Sequence, residues 1–365
     1  MPAIRLLLAL IVFSISSEGA FAAVGDPSFS LDYCAWGATH IVVVTEGEKI
    51  DGKVRVLESW KGDLKPGEEI TIPELAEFAP AKKRVISDWL RRKKNLPDAV
   101  SCSRMVLFLV RNPEKAVPGK PDKPWLPTAG IWGGEIGMEF SVAWIESDEA
   151  IAFERPWNPG DAVLLPQGQN ECAMKCRVDE VLDARSAYDA ALRQADPAKF
   201  AAALPTILRT YCHPATSAVF ARLEKDGKGS LPAIRSVLQN ESLLHCHSDA
   251  IDSLVKVGGA GVGAELTNLL KAELAFWKKR GPNLKVNFLR GAGLKWDELF
   301  ALYNHRTKAV YILSAIEKLR VPGARDTVLA FRDYWRSLPQ LRESSDLDKW
   351  CDEALKALDK LQMGP

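Results

Sequence analysis

The chain has 365 residues, of which 47% are hydrophobic and 26% are charged, and both values are ordinary for a globular protein. Its net charge is +1, which argues against a nucleic-acid-binding protein, because such proteins carry a strong excess of basic residues. A chain of this length is too long for one typical hydrophobic core, so we expect two domains.

The first 22 residues have the three parts of a cleavable secretory signal peptide. Arg5 supplies a positive charge, an apolar run extends from Leu6 to Ile15, and Ala20-Phe21-Ala22 is a small-x-small cleavage site. The apolar run is much shorter than the ~20 residues that a membrane-spanning helix needs. We therefore expect cleavage after Ala22 and a mature protein that is periplasmic or secreted. An uncleaved membrane anchor is the alternative.

Residues 23–166 form the first predicted domain, which is rich in short β-strands. β-Branched runs and alternating patterns predict strands at 40–45, 53–58, 69–72 and 105–110. A hairpin is predicted from two apolar segments, 140–145 and 150–153, on either side of a polar turn. Short strands joined by polar turns indicate a small antiparallel β-barrel or a sandwich.

A basic segment interrupts the strand pattern at 81–94. Helical spacing places its apolar side chains, among them Val85, Ile86 and Trp89, on one face and many lysines and arginines on the others. We expect a helix whose apolar face covers the barrel. Contact of this basic helix with an anionic membrane surface is the alternative.

Two tryptophans, Trp125 and Trp132, belong to a segment rich in proline and glycine at 118–134. An exposed tryptophan on a β domain can stack on a sugar ring or anchor a partner. More often such rings close one end of their own barrel, and that is what we expect of them here. Ligand binding by exposed rings is the alternative, for which both residues are candidates.

The pattern becomes helical in the second half. Residues 167–198 are predicted to hold a linker and a first helix, and residues 199–365 an α-helical repeat-like domain. Within it, helices are predicted at 217–224, 231–238, 249–257, 264–279, 308–319, 326–338 and 347–361. The segment Ala250 to Leu254 matches Ala315 to Leu319, with 282–304 interpreted as an insertion, so a stack of helical hairpins is expected. A generic helical bundle is the alternative.

Three segments of the β half carry a family resemblance. They are Cys34 to Val44 (CAWGATHIVVV), Val54 to Gly62 (VRVLESWKG) and Cys102 to Leu109 (CSRMVLFL). Together they resemble the netrin/tissue-inhibitor-of-metalloproteinase (NTR) type of OB-fold, which implies an OB-like barrel and a disulfide between Cys34 and Cys102. Metalloproteinase inhibition in that family needs a cysteine at the mature amino terminus. Because Cys34 lies inside the predicted mature chain, that activity is not implied.

The helical half is similar to HEAT-like repeats, which usually serve as binding scaffolds. This resemblance rests on the repeated segments at 250–254 and 315–319 and implies stacked pairs of helices. It says nothing about which ligand is bound.

The seven cysteines of an exported protein favour disulfides. Cys212 and Cys246 are about one helical-hairpin repeat apart, so a bond between them is predicted. Cys172 is predicted to pair with Cys176 across a bend, which leaves Cys351 as the odd cysteine. A zinc site is the alternative, and it would draw its ligands from reduced thiols and imidazoles: Cys172, Cys176, Cys212, His213, His245 and His247.

No serine-hydrolase elbow, zinc-protease motif or P-loop occurs in the sequence. The sequence therefore predicts an exported, non-enzymatic binding or scaffold protein that recognises another macromolecule, without a cofactor. A protein partner is expected, and a nucleic acid is not. Two alternatives stay open: an envelope or carbohydrate-binding protein that uses exposed tryptophans of the β domain, and a hydrolase with a site between the two domains.

Overall fold

The computed structural model describes residues 31–46, 52–73, 75, 83–84, 100–101, 104–112, 124–127, 142–147, 150–153, 171–210, 212–284, 296–338 and 346–362. It contains a curled antiparallel sheet in the first half and paired helices in the second half. A mixed fold, with strands first and helices second, is therefore confirmed. The predicted signal peptide lies outside the described residues.

The strands all pair in antiparallel fashion. They are β1 (His40–Glu46), β2 (Lys53–Lys61), β3 (Glu69–Thr71), β4 (Lys83–Arg84), β5 (Val100–Ser101), β6 (Arg104–Arg111), β7 (Trp125–Pro127), β8 (Val142–Ser147) and β9 (Ala150–Phe153). The main sheet has the order β3-β2-β1-β6-β8-β9, and β7 pairs with β6. Every predicted strand is present, and so is the hairpin, which β8 and β9 form.

The two central strands, β1 and β6, are apolar at successive positions because both of their faces are covered. One face, with Ile41 and Phe108, packs against α1 (Leu31–Gly37) and α2 (Glu171–Leu192). The other face lines the concave interior of the sheet with Val42, Val44, Met105, Leu107 and Leu109. Strand β2 alternates buried and exposed residues instead, because its outer side faces solvent.

The prediction of a basic helix over 81–94 is wrong at the two residues that the structure describes there. Lys83 and Arg84 form β4, which pairs with β5 in a separate two-stranded ladder. In the strand, the backbone groups of Lys83 and Arg84 are satisfied by pairing with Val100 and Ser101; in a helix they would be satisfied within the same segment. The periodicity of the sequence cannot tell which of these two arrangements is the more stable. The remainder of the segment lies outside the described residues.

The second half of the chain is an array of helical hairpins. Its helices are α3 (Pro197–Leu208), α4 (His213–Asp226), α5 (Leu231–Gln239), α6 (His247–Gly258), α7 (Gly263–Arg280), α8 (Trp296–Leu319), α9 (Arg325–Ser337) and α10 (Asp346–Gln362). The hairpins are α3–α4, α5–α6, α7–α8 and α9–α10. Helices α4, α6, α8 and α10 pack side by side in one row, and the other four helices form the second row.

The two matching segments found in the sequence occupy neighbouring places in this array. Ala250 to Leu254 lies in α6 and Ala315 to Leu319 lies in α8, and these helices adjoin in the same row. The interpretation of 282–304 as an insertion is wrong in its last part, because α8 begins at Trp296. Within the described part of the chain, no helix combines the length and the apolarity that crossing a membrane requires.

Helix α2 joins the sheet to the helical array. Ala173 and Met174 are buried against the sheet side. On the same helix, Arg177 donates two hydrogen bonds to Asp32 of α1, at 2.9 and 2.6 Å, and a third at 3.3 Å to the backbone carbonyl of Arg209 after α3. Asp32 is fully buried. The forked guanidinium is thus matched to a desolvated carboxylate in the geometry that makes such a pair favourable.

We expect Arg177→Met to lower the free energy of unfolding by about 3–5 kcal/mol, because Asp32 would stay buried without the cation that compensates its charge. Lys175→Met is the matched control on the same helix, because Lys175 forms an exposed pair with Glu58 and should cost only about 0–1 kcal/mol. Urea denaturation followed by circular dichroism measures both values. Equal losses for the two variants would contradict the role assigned to the buried pair.

Candidate functional site

An open groove of about 350 Å³ lies between α5 and α7 in the second row of the array. Helix α5 turns its apolar stripe, including Ile234 and Val237, into the core and leaves Arg235 and Gln239 on the groove side. The groove is lined by Arg235, Leu238, Gln239, Glu265, Asn268 and Leu269. Leu238 and Leu269 give it an apolar floor, and the other four side chains give it a polar rim.

An ion pair crosses the rim of this groove. Arg235 of α5 donates to Glu265 of α7 through Nε and Nη2, at distances of 3.0 to 3.2 Å. The hydrogen bond to Glu265 raises the pKa of the Arg235 guanidinium. Both side chains are partly exposed, so the pair remains hydrated and can exchange partners with a ligand at little cost.

A buried group of charged side chains lies beside the groove. Glu273 of α7 follows Leu269 by one helical turn and is only 2% exposed. Its Oε1 forms an ion pair with Lys308 Nζ at 2.9 Å, and its Oε2 is 3.0 Å from His305 Nδ1. Because both carboxylate oxygens are engaged by partners from α8, the buried charge is compensated. This group fixes α7 against α8.

His305 is oriented by three neighbours. Its ring stacks on Phe276, with 3.5 Å between ring centroids, and its Nδ1 donates to Glu273. The second nitrogen, Nε2, points towards Glu241, whose Oε2 is 4.0 Å away and whose side chain is exposed. A carboxylate that holds one imidazole nitrogen sets the tautomer of the ring. The second nitrogen is then left to accept a hydrogen bond.

His247 is a fully buried neighbour of this group. Its Nε2 donates to the backbone carbonyl of Asn240 at 3.2 Å, and its Nδ1 has no hydrogen-bond partner among the described residues. Burial, assisted by the positive charge of Lys308, lowers the pKa of His247 to about 4. The ring of His247 is therefore neutral near pH 7.

None of the six cysteines in the described part of the chain takes part in a disulfide bond. Cys34 lies in α1, just before β1, and its predicted partner Cys102 lies outside the described residues. Cys212 belongs to the apolar cluster at the junction of sheet and helices, whereas Cys246 belongs to the core of the array. The structure thus gives no support to a Cys212–Cys246 bond, which stays a prediction from the sequence.

The predicted zinc ligands are not brought together. Among the described residues, no three side chains of histidine, cysteine, aspartate or glutamate form a group that could hold a metal ion. His245 is held by the carbonyl of Leu208, to which its Nε2 donates at 2.8 Å, and His247 is enclosed in the core. Burial raises the pKa of the Cys212 thiol to about 12, which disfavours the thiolate that zinc needs. The side chain of His213 is outside the described part.

Cys172 and Cys176 stand apart from the other cysteines because both are exposed, on the first turns of α2. The bend predicted between them is wrong, since they lie four positions apart in one continuous helix from Glu171 to Leu192. Their backbone groups follow the regular hydrogen-bond pattern of that helix. Cys351, predicted as the odd cysteine, is buried in α10, and burial raises its pKa to about 12.

Trp125 does not present the exposed ring that sugar stacking requires. It is 6% exposed and meets the His40 ring edge-on, with 4.8 Å between centroids, while the Arg111 guanidinium lies 5.3 Å from the ring centroid. His40 in turn hydrogen-bonds Asp63 at 2.7 Å and thereby lowers the pKa of that carboxyl. The Trp125 ring is therefore part of the sheet's own packing. Trp132 lies outside the described residues.

Sequence reasoning missed the Glu273 group, although a signal for it was present. Glu273 falls in the apolar stripe of α7 with Leu266, Leu270, Leu274 and Trp277. A carboxylate at such a position must find a partner inside the protein. The sequence could not show which partner, because His305 is 32 positions away.

The comparisons with known proteins add no assignment for this site. No family model, no curated protein and no solved structure matches the chain.

We expect Glu273→Gln to lower the free energy of unfolding by about 3–5 kcal/mol, because the buried ammonium of Lys308 loses its counter-charge. Glu265→Gln on the same helix is the matched control, since the Arg235–Glu265 pair is partly exposed and its loss should change stability very little. Chemical denaturation of both variants at pH 7 provides the measurement. A loss below 1 kcal/mol for Glu273→Gln would show that Lys308 is compensated in another way.

The depressed pKa of His247 predicts a dependence of stability on pH. Above pH 6.5 the ring is neutral in both states, but between pH 6.5 and 4 it is protonated in the unfolded chain and neutral in the native protein. Native stability therefore falls as the pH drops through this window, by about 3 kcal/mol. His247→Gln, which keeps a donor for the Asn240 carbonyl, should flatten that part of the profile. Identical profiles for variant and wild type would count against the assignment.

Proposed function

We propose that this chain is an exported binding protein whose helical array recognises a segment of another protein. The groove between α5 and α7 carries this proposal. Its floor is apolar and its rim offers two amides, Gln239 and Asn268, and one exposed ion pair. A peptide segment presents the same mixture of apolar side chains and backbone hydrogen-bonding groups, whereas a nucleic acid would require a concentration of positive charge.

The layout of the array supports a role in recognition. Stacked helical hairpins expose long, continuous surfaces, and HEAT-like arrays use such surfaces to bind partners. The buried Glu273 group lies beside the groove and holds α7 and α8 together, so the groove wall is rigid before a ligand arrives. Preorganisation of this kind lowers the entropy lost on binding. The HEAT-like classification of the array, and the OB-like, NTR-type classification of the sheet, belong to this proposal.

The alternatives have less support. The carbohydrate-binding hypothesis needs exposed tryptophans, and the ring of Trp125 is buried. The interdomain hydrolase needs an open cleft between the two halves, but α2 fills the described junction with apolar side chains and with the Asp32–Arg177 pair. Export itself rests on residues 1–22, and cleavage after Ala22 stays a prediction.

Site-specific photo-crosslinking tests the proposed groove. A photoreactive amino acid at Asn268, in the groove, is expected to give a discrete crosslinked species when the protein is expressed in its native envelope. The same amino acid at Lys256, an exposed position of the opposite row, serves as the positional control. Mass spectrometry of the crosslinked band identifies the partner segment.

Charge reversal at the rim completes the experiment. Arg235→Glu places two carboxylates side by side and should abolish the Asn268 crosslink. Arg325→Glu disrupts a comparable surface pair with Asp359 and should leave the crosslink intact. A crosslink that survives Arg235→Glu, or that forms equally well from Lys256, would exclude the groove as the recognition site.

A further inference from the structure

Two exposed thiols lie next to each other on the outer face of α2. Cys172 and Cys176 are one helical turn apart, and the thiols are close enough to hydrogen-bond to each other. They are the only exposed cysteines in the described part of the chain; Cys34, Cys212, Cys246 and Cys351 are all buried. The pair therefore has access to solutes that the other described thiols lack.

The helix that carries these thiols is firmly held. Its opposite face buries Ala173, Met174 and Val178 against the sheet side of the molecule. Three charged residues near the pair are bound by other side chains: Glu171 by Arg104, Lys175 by Glu58 and Glu180 by Arg177. The two sulfur atoms are thus presented on a fixed backbone and without a competing ion pair between them.

Helix geometry favours bridging of these thiols by an ion over direct bonding. Side chains four positions apart on a helix have their Cβ atoms about 5–6 Å apart. A disulfide needs Cβ atoms about 3.5–4.5 Å apart, so it could form only if the first turn of α2 unwound. An ion bound to both sulfurs adds two metal–sulfur bonds of about 2.3 Å each, which suits the wider spacing without unwinding.

We propose that Cys172 and Cys176 form a binding site for a soft, low-coordinate metal ion, with Cu(I) as the ion that fits best. Soft thiolates select Cu(I), and two of them satisfy this ion in a nearly linear arrangement, whereas zinc requires about four ligands. Each thiol gives up its proton and forms one Cu–S bond, so one Cu(I) and two thiols yield a bis-thiolate complex and two released protons. No change of oxidation state is involved.

Proton release makes the site dependent on pH. Each bound Cu(I) displaces two thiol protons, so the apparent affinity should rise about a hundredfold per pH unit wherever both thiols are protonated in the free protein. A single-thiolate site would show a rise of only about tenfold per unit.

Anaerobic titration of the full chain with Cu(I), supplied as its coloured bicinchoninate complex, tests the proposal. The reduced protein should withdraw one Cu(I) per chain, with the pH dependence of two released protons. Cys172→Ser and Cys176→Ser should each lower the affinity by about a hundredfold or more, because each leaves one thiolate. Both positions are exposed, so circular dichroism should show an unchanged fold.

A matched variant and an alkylation experiment locate the ion. Cys351→Ala removes a buried thiol and should leave Cu(I) uptake unchanged. Bound Cu(I) should protect Cys172 and Cys176 from iodoacetamide, as shown by peptide mapping. Equal uptake by a Cys172→Ser/Cys176→Ser double variant would overturn the proposal. So would isolation of a Cys172–Cys176 disulfide from the native protein.

Discussion

The ion pair between Asp32 and Arg177 ties the two halves of this molecule together. Asp32 comes from α1 immediately before the sheet, Arg177 comes from α2, and the same guanidinium reaches the backbone at the end of α3. Two charges that have been removed from water are stable only when their geometry is correct, because each one alone would carry a large desolvation penalty. The pair therefore specifies how α1, α2 and α3 meet, and apolar packing around it supplies most of the stability.

The helical array repeats this principle at its centre. Glu273, His305 and Lys308 link α7 to α8 through a carboxylate that is almost completely removed from solvent. The exposed Arg235–Glu265 pair, only two turns away on α7, has the opposite character, because it remains hydrated and contributes little to stability. The buried Glu273 group can keep the shape of the groove unchanged, whereas the hydrated Arg235–Glu265 pair can open so that its side chains bind a ligand. Such a combination suits a binding groove. This contrast is the physical basis of the binding function proposed here.

The sequence predicted the elements of this fold better than it predicted their contacts. The apolar runs of β1 and β6 identified strands, and the reason is now clear, since α1 and α2 cover one face and the concave interior covers the other. The covering helix α2 was harder to recognise, because its buried positions alternate with many charged ones and its amphipathic pattern is weak. The candidate site was missed for a related reason. Cysteines and histidines drew attention by residue type, whereas Glu273 is significant through a partner in another helix, and periodicity contains no information about such long-range pairing.

Exposure, more than residue type, separates the cysteines of this protein into two chemical classes. Burial raises the pKa values of the Cys212 and Cys351 thiols and makes them part of the apolar packing, where they act as small hydrophobic side chains. Cys172 and Cys176 differ because they lie on the exposed side of α2, whereas Ala173, Met174 and Val178 of the same helix are buried against the rest of the molecule. The contacts of the buried side, including the Asp32–Arg177 pair, hold the whole helix in place. A helix held in this way resists the local unwinding that a disulfide would require, so the interaction that joins the two halves supports the ion-binding role that we propose for the exposed thiols.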